Sequence, residues 1–402
     1  MTVDTSKNIT IKNCDIGYNR RQGISLVGSE NVRILNNYIH HTNGTAPQSG
    51  IDIEPGYFPG KNTVIKGNTF TNNKIQIVLA YGENVKIEAN TFNQSVEGSV
   101  GVYSHEGFKG DVIIRGNTFN GSDLTLHSKN AIVSNNSFTK GRISLYGMGI
   151  SFNRAKIQDG TLHVGFANKQ LISDVNFNNR EVEGVALYLD SKPIQLNNVS
   201  ISSDSIEESL LSGVGNNQSV LENLVLKDKH NKGTLLPAGL YRNCNIQVGV
   251  LEINREGKYV LENCKIISND NLLKVNSLYG NPNIQVINSN LEILGDIGYG
   301  AAVYIQGAEK WELKNSKVSA LNNKENKPLI KIGTYEFSKP TNVSVVSIVG
   351  NQLITKKTIT GIDTLNVKEN TAEYEIADNH LINALLKLRS TDINTNNIVE
   401  QR

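Results

Sequence analysis

Apolar and polar positions alternate in short runs along nearly the whole chain, with almost no stripe of helical period. NITIKNCDI (8–16), NVRILNNYI (31–39), NTVIKGNTF (62–70), NVKIEANTF (84–92), DVIIRGNTF (111–119) and NAIVSNNSF (130–138) share one frame. An apolar residue is followed by two variable positions, a small polar residue, one variable position and a second apolar residue. The small polar column reads Cys14, Asn37, Asn68, Asn90, Asn117 and Asn136, at spacings of 19 to 31 residues. That spacing is too short and irregular for propeller blades or helical repeats, and it suits solenoid coils with constant strands and variable turns. Period-2 runs bounded by Asn and Gly predict the strands. A polar residue repeated at one bend of each coil can stack into a ladder of side-chain amides.

The frame returns at VLENCKI (260–266), ELKNSKV (312–318), IVGNQLI (348–354), IADNHLI (376–382) and INTNNIV (393–399). It places Cys264, Ser316, Asn351, Asn379 and Asn397, or its neighbour Asn396, in the same column. Between about 150 and 250 the register blurs, and apolar residues such as Val175 take the position. The expectation is an all-β chain, one continuous single-stranded right-handed parallel β-helix from about residue 8 to residue 399. Residues 1–160 form its regular coils and hold the candidate cleft. Residues 161–402 continue it as degenerate coils that serve as scaffold or oligomer contact. An open solenoid end exposes unpaired backbone, and neither end carries an evident cap. The chain therefore reads as a piece of a longer protein, with neighbouring domains or chains at both ends.

Composition narrows the function classes. The 402 residues carry a net charge of +2, so no electrostatic argument supports a nucleic-acid or membrane-surface partner. Three cysteines build no disulfide framework and show no metal-ligand spacing. Cys14, Cys244 and Cys264 each follow an Asn at a similar coil position, which makes them ladder or core residues. No apolar run approaches the roughly 18 residues of a membrane span, so no membrane insertion is expected. No cofactor or metal is implied.

The frame N-V-x-I-x-N-N-x-F, in coils of this length, resembles the right-handed parallel β-helix proteins of the pectate lyase-like superfamily. That group includes polysaccharide lyases, glycoside hydrolases, epimerases and phage tailspike depolymerases. Residues 19–55, NRRQGISLVGSENVRILNNYIHHTNGTAPQSGIDIEP, resemble its bacterial and phage-associated members more narrowly. The NTD, GHG and RIK motifs of polygalacturonases are absent. The resemblance implies a polysaccharide partner, an extracellular or virion-associated location, and a homotrimer as in tailspikes.

The stretch SGIDIEPG (49–56) carries the candidate chemistry. If Ile51 and Ile53 enter the core, strand alternation turns Asp52 and Glu54 outward. Their Cα atoms are then about 6.5–7 Å apart, and rotamers leave the carboxyl groups about 5 to 9 Å apart, which covers both the retaining and the inverting arrangement. Arg21 beside one carboxylate would hold it ionised, while burial raises the pKa of the other. Coil alignment predicts an Asp52 column of Ser25, Asp52, Gln76, Gly101, Thr125 and Ser144. The Glu54 column is Val27, Glu54, Val78, Tyr103, His127 and Tyr146. The aromatic members would offer ring faces to successive sugars.

Asp52, Glu54 and Arg21 are thus the catalytic candidates. Arg20, Gln22, His41, Gln76, Tyr103, His127 and Tyr146 are the candidate substrate contacts. Three readings stay open. The first is a glycoside hydrolase acting through the carboxylate pair. The second is a lyase or epimerase with Arg20 or Arg21 as base. The third is a non-catalytic stalk or carbohydrate-binding adhesin, for which the carboxylates are solvated edge charges.

Overall fold

The computed structural model describes residues 1–94, 99–333, 343–367 and 373–402. Among them every regular element is a β-strand. The chain divides into two compact units, Met1–Val182 with Ala186–Gln195, and Glu183–Val185 with Leu196–Arg402.

In the first unit most coils contribute three short strands, and each stacks in parallel on its counterpart in the next coil; in Gln170–Asn179 two of the three run together. One stack runs Thr2–Asp4, Gln22–Val27, Ser49–Glu54, Ile75–Leu79, Val100–Ser104, Asp123–Leu126, Arg142–Leu145, Thr161–Val164 and Gly184–Leu189. The other two flank the bend that holds the repeated polar residue. At that bend Asn13, Asn36, Gly67, Gly116 and Asn135 have positive φ, a conformation that Gly and Asn adopt with least strain. The next residue turns its side chain inward.

There the expected ladder forms. Asn37 Nδ2 donates to Asn68 Oδ1 at 2.9 Å, Asn68 to Asn90 at 3.0 Å, Asn90 to Asn117 at 3.0 Å and Asn117 to Asn136 at 3.0 Å. Each Oδ1 also accepts the backbone N–H of the residue before it in the ladder. Cys14 begins the row by donating its N–H to Asn37. Ala155 and Val175 occupy the later positions, both buried. An exposed second ladder, which the sequence frame did not single out, joins Asn8, Asn31, Asn62 and Asn84.

The core between the stacks is columnar. Phe70, Phe92, Phe119 and Phe138 lie one above another with centroids 4.6–5.1 Å apart. Burying a phenyl side chain contributes roughly 1.5–3 kcal/mol, so this column and its Ile neighbours carry much of the hydrophobic term.

The second unit repeats the design with fewer amides. Cys264 donates its N–H to Ser289 Oγ, Ser289 to Ser316 Oγ, and Ser316 to Asn351 Oδ1. Asn351, Asn379 and Asn397 then form a second amide ladder. Asn397 is the column member; Asn396 instead bonds Asp378. Cys244 and Cys264 are buried.

Candidate functional site

Strand pairing fixes the register beneath the carboxylates. Ser49–Glu54 lies on Gln22–Val27 with Ser25 opposite Asp52 and Val27 opposite Glu54. Ile51 and Ile53 are buried in the core, so Asp52 and Glu54 point outward as alternation requires. Outward does not mean solvated here. Asp52 is only 4% exposed, which corrects the expectation of two solvent-facing carboxylates.

What covers Asp52 is the coil below. Gln22 Nε2 donates to Asp52 Oδ2 at 2.8 Å and to Glu54 Oε1 at 2.5 Å. Ser25 Oγ donates to the same Glu54 oxygen at 2.5 Å, and Arg21 Nη2 lies 3.3 Å from Glu54 Oε2. Arg21 also donates from Nη1 to Gln22 Oε1 at 3.1 Å, holding the amide in this orientation. Asp52 Oδ1 is buried and has no hydrogen-bond partner among the described residues. A carboxylate oxygen left without a donor in a desolvated place disfavours the charged form. Burial accordingly pushes the Asp52 carboxyl up to about 6; the Glu54 charge adds to this, and the Gln22 hydrogen bond and Arg21 oppose it. Both carboxylates bond one nitrogen, so Asp52 Oδ2 and Glu54 Oε1 lie no further apart than the sum of those bonds, about 5.3 Å.

The columns above the pair differ from the predicted ones. Asp52 faces Val78, then Tyr103, Thr125, Ser144, His163 and Tyr188 in successive coils. The predicted register was therefore two residues early in the third and fourth coils and right again from Thr125. Gln76 is not in this column. It is fully buried beside the preceding turn, accepting from Asn73 and donating to Gln94. Tyr103 belongs to the Asp52 column, and by the same pairing Ala80 and His105 follow Glu54 in the other. The slip is even, so the face was kept while the position along the strand was not.

His127 and Tyr146 do stand together, with ring centroids 4.6 Å apart and planes 10° from parallel. Tyr146 also packs on Phe166 at 4.6 Å, and Tyr103 lies against His105 and His127. Rings stacked on one another use their faces for each other. What His127 and Tyr146 turn outward is their edges, which suits hydrogen bonding better than face stacking on a sugar. Burial lowers the pKa of His127 and of His163.

The remaining candidates serve other places. Arg20 Nε donates to Thr45 Oγ1 and so holds the long loop. His41 belongs to a separate cluster. Asn72 Nδ2 is 3.2 Å from His41 Nε2, the His40 and His41 Nδ1 atoms are 2.8 Å apart, and His40 Nε2 is 2.7 Å from Asp15. One choice of neutral tautomers satisfies every bond, with protons running from Asn72 through His41 and His40 to Asp15. Tyr18 stacks on His41 and Tyr38 on His40. Gly17 is required beneath them, since a Cβ there would lie 2.0 Å from His40 Cε1. No described contact joins this cluster to Asp52 or Glu54. Among the described residues no group of three or more His, Cys, Asp or Glu is placed to hold a metal ion.

Comparison with known proteins agrees with this winding. Residues 1–151 match the family described as a right handed beta helix region. The chain is a right-handed parallel β-helix. The uncharacterized protein YclG of Bacillus subtilis (strain 168) is 33% identical over 122 residues, which cover 28% of this β-helix chain and 20% of YclG. The matched stretch thus spans about a fifth of that relative's length. Among solved structures, the PL6 family alginate lyase AlyGC aligns over 93% of this chain and 85% of its own, with 10% identity and a TM-score of 0.29. A variant of the same lyase gives the same identity and score over 93% and 86%. No residue role is transferred from either.

Proposed function

We propose that this β-helix is a polysaccharide-cleaving glycoside hydrolase whose acid/base is Asp52 and whose nucleophile is Glu54. The observation that carries the reading is the unequal treatment of two adjacent carboxylates by one amide. Gln22 ties them together, but Glu54 also receives Arg21 and Ser25 while Asp52 is buried with one oxygen unpartnered. Burial raises the Asp52 carboxyl, which suits the proton-donating role, while Glu54 stands open to attack with Arg21 and Ser25 as its partners.

Oxygens held no more than about 5.3 Å apart by one amide nitrogen favour double displacement over the wider arrangement that leaves room for a water. In the first step Glu54 attacks the anomeric carbon while the Asp52 proton passes to the departing glycosidic oxygen. In the second, water attacks that carbon, gives its proton to Asp52, and Glu54 leaves. A substrate hydroxyl takes the place of the Gln22 amide at Asp52 Oδ2, since in the free protein that amide occupies the approach. The polysaccharide lies across Val78 and Ala80, small residues one coil above the carboxylates, toward the edges of Tyr103, His105 and His127.

Screening the chain against cell-wall and capsular polysaccharides, with reducing-end release and the anomeric configuration of the first product, tests this reading. New reducing ends with retained configuration support it. Products with unsaturated absorbance would replace it with elimination, and no cleavage of any polymer would leave a binding or stalk role.

A further inference from the structure

The turn that leaves Glu54, Pro55–Pro59, carries the most exposed aromatic pair near the site. Tyr57 is 102% and Phe58 62% exposed, and neither ring has a partner among the described residues. Isolated exposed apolar residues need no explanation. Two adjacent rings with free faces, on a turn stiffened by proline at both ends, are a different case, because that stiffness lowers the entropy lost on binding.

The backbone of the turn is seated rather than loose. A Cβ on Gly56 would lie 2.8 Å from Val27 Cγ1, and one on Gly28, at φ +58°, would lie 3.1 Å from the Phe58 carbonyl. The turn therefore folds down over Val27, the residue directly below Glu54 in its column. It is the same lower coil that sends Arg21 and Gln22 to the carboxylates. The rings of His127 and Tyr146 are stacked on each other, whereas those of Tyr57 and Phe58 are not. Free flat faces beside a carboxylate pair suit the apolar faces of pyranose rings.

We propose that Tyr57 and Phe58 form a sugar-stacking subsite for a neutral pyranose unit, on the N-terminal side of Asp52 and Glu54. The inference rests on the glycosidase reading and deepens it. The bound polymer then runs along the solenoid, with one part on these rings and the next across the carboxylates. The rings touch no reacting atom, so they stabilise bound substrate and transition state alike and their loss raises KM more than it lowers kcat.

The test uses the full chain and a polysaccharide that it cleaves in the screen. Tyr57→Ala and Phe58→Ala should each raise KM about tenfold, the size of one stacking contact, with the pH profile unmoved. Tyr57→Trp, which keeps a flat face, should bind within a few-fold of wild type, whereas Tyr57→Leu should not. The same order should appear in direct binding to the Glu54→Gln chain, where no turnover intervenes. If the double alanine variant keeps wild-type KM while Asp52→Asn and Glu54→Gln are inactive, this inference falls and the glycosidase reading stands. If the wild type neither binds nor cleaves any polymer, both fall. If the alanine changes instead abolish self-association in ultracentrifugation, the rings cover a second copy of the chain and the subsite is overturned.

Discussion

Asp52→Asn should make the protein less sensitive to rising pH. In the folded chain the Asp52 carboxyl is pushed up to about 6, from an ordinary value of 3.8. For a raised acid the sign is definite: folding takes up a proton between these values. The favourable contribution is complete below about pH 4 and is lost as pH rises through about 6. A shift of roughly two units corresponds to about 3 kcal/mol at full development. Between pH 4 and pH 8, where the unfolded group is already half ionised at the start, about 2–3 kcal/mol remains to be read. Asparagine can turn its oxygen toward Gln22 Nε2 and its amide toward the place of the unpartnered Asp52 Oδ1. The cost of burying that amide is independent of pH, so it drops out of the comparison. Urea unfolding of both proteins at pH 4 and pH 8 gives the two differences in stability. The variant should gain about 2–3 kcal/mol on wild type across the interval. A gain below about 0.5 kcal/mol would mean that Asp52 titrates like a solvated carboxylate, and the acid role would lose its physical basis.

Asp52→Asn and Glu54→Gln should each reduce turnover by about 10²–10⁴ without loss of the circular dichroism of the coils. Asn90→Ala removes the donor to Ile65 O and Asn117 Oδ1 and the acceptor of Asn68. With several buried groups left unsatisfied it should cost about 3–5 kcal/mol in urea unfolding. Lys331→Met leaves Asp363, 2.8 Å away and mostly covered, without its cation. It should destabilise the second unit by about 3 kcal/mol while reducing-end release stays at the wild-type rate.

The winding was legible because one physical demand recurs in every coil. Most bends place a residue that tolerates positive φ, Ala89 and Arg154 being exceptions, followed by one that can satisfy backbone groups inside the turn. Asn36-Asn37, Gly67-Asn68 and Gly116-Asn117 meet both demands in the same two letters. Where the second letter became Ala155 or Val175 the amide ladder stopped, yet the coil continued on apolar packing. Ser289 in INSNL keeps the same bend and the same hydroxyl as Ser316 in ELKNSKV, and the frame reading did not single it out. The exposed ladder of Asn8, Asn31, Asn62 and Asn84 was equally present in the letters. It forms the first letter of four of the quoted frames and read as strand-boundary composition.

The site was legible in its residues but not in their state. Alternation correctly set Asp52 and Glu54 outward, and coil alignment correctly put Ser25 and Val27 beneath them. Burial of Asp52 was hidden, because period-2 reasoning assigns a face and says nothing of what leans over it. A single glutamine, reaching from the head of one strand to the middle of the next, turned an exposed edge into a desolvated one. The two-residue slip at Gln76 arose across the short turn between Thr69–Thr71 and Ile75–Leu79, where no side-chain pattern distinguishes one outward position from the next, whereas Ser25 was placed correctly on Asp52 across the long 40–49 loop. The paired ladder residues Asn68 and Asn90 were placed correctly on either side of it. A solenoid thus pins its register at the bend that carries the ladder and releases it in the turn that leads to the outward strand. Since turns of that kind also set what a coil can bind, the part of the chain hardest to align from its letters is the part in which its chemistry is decided.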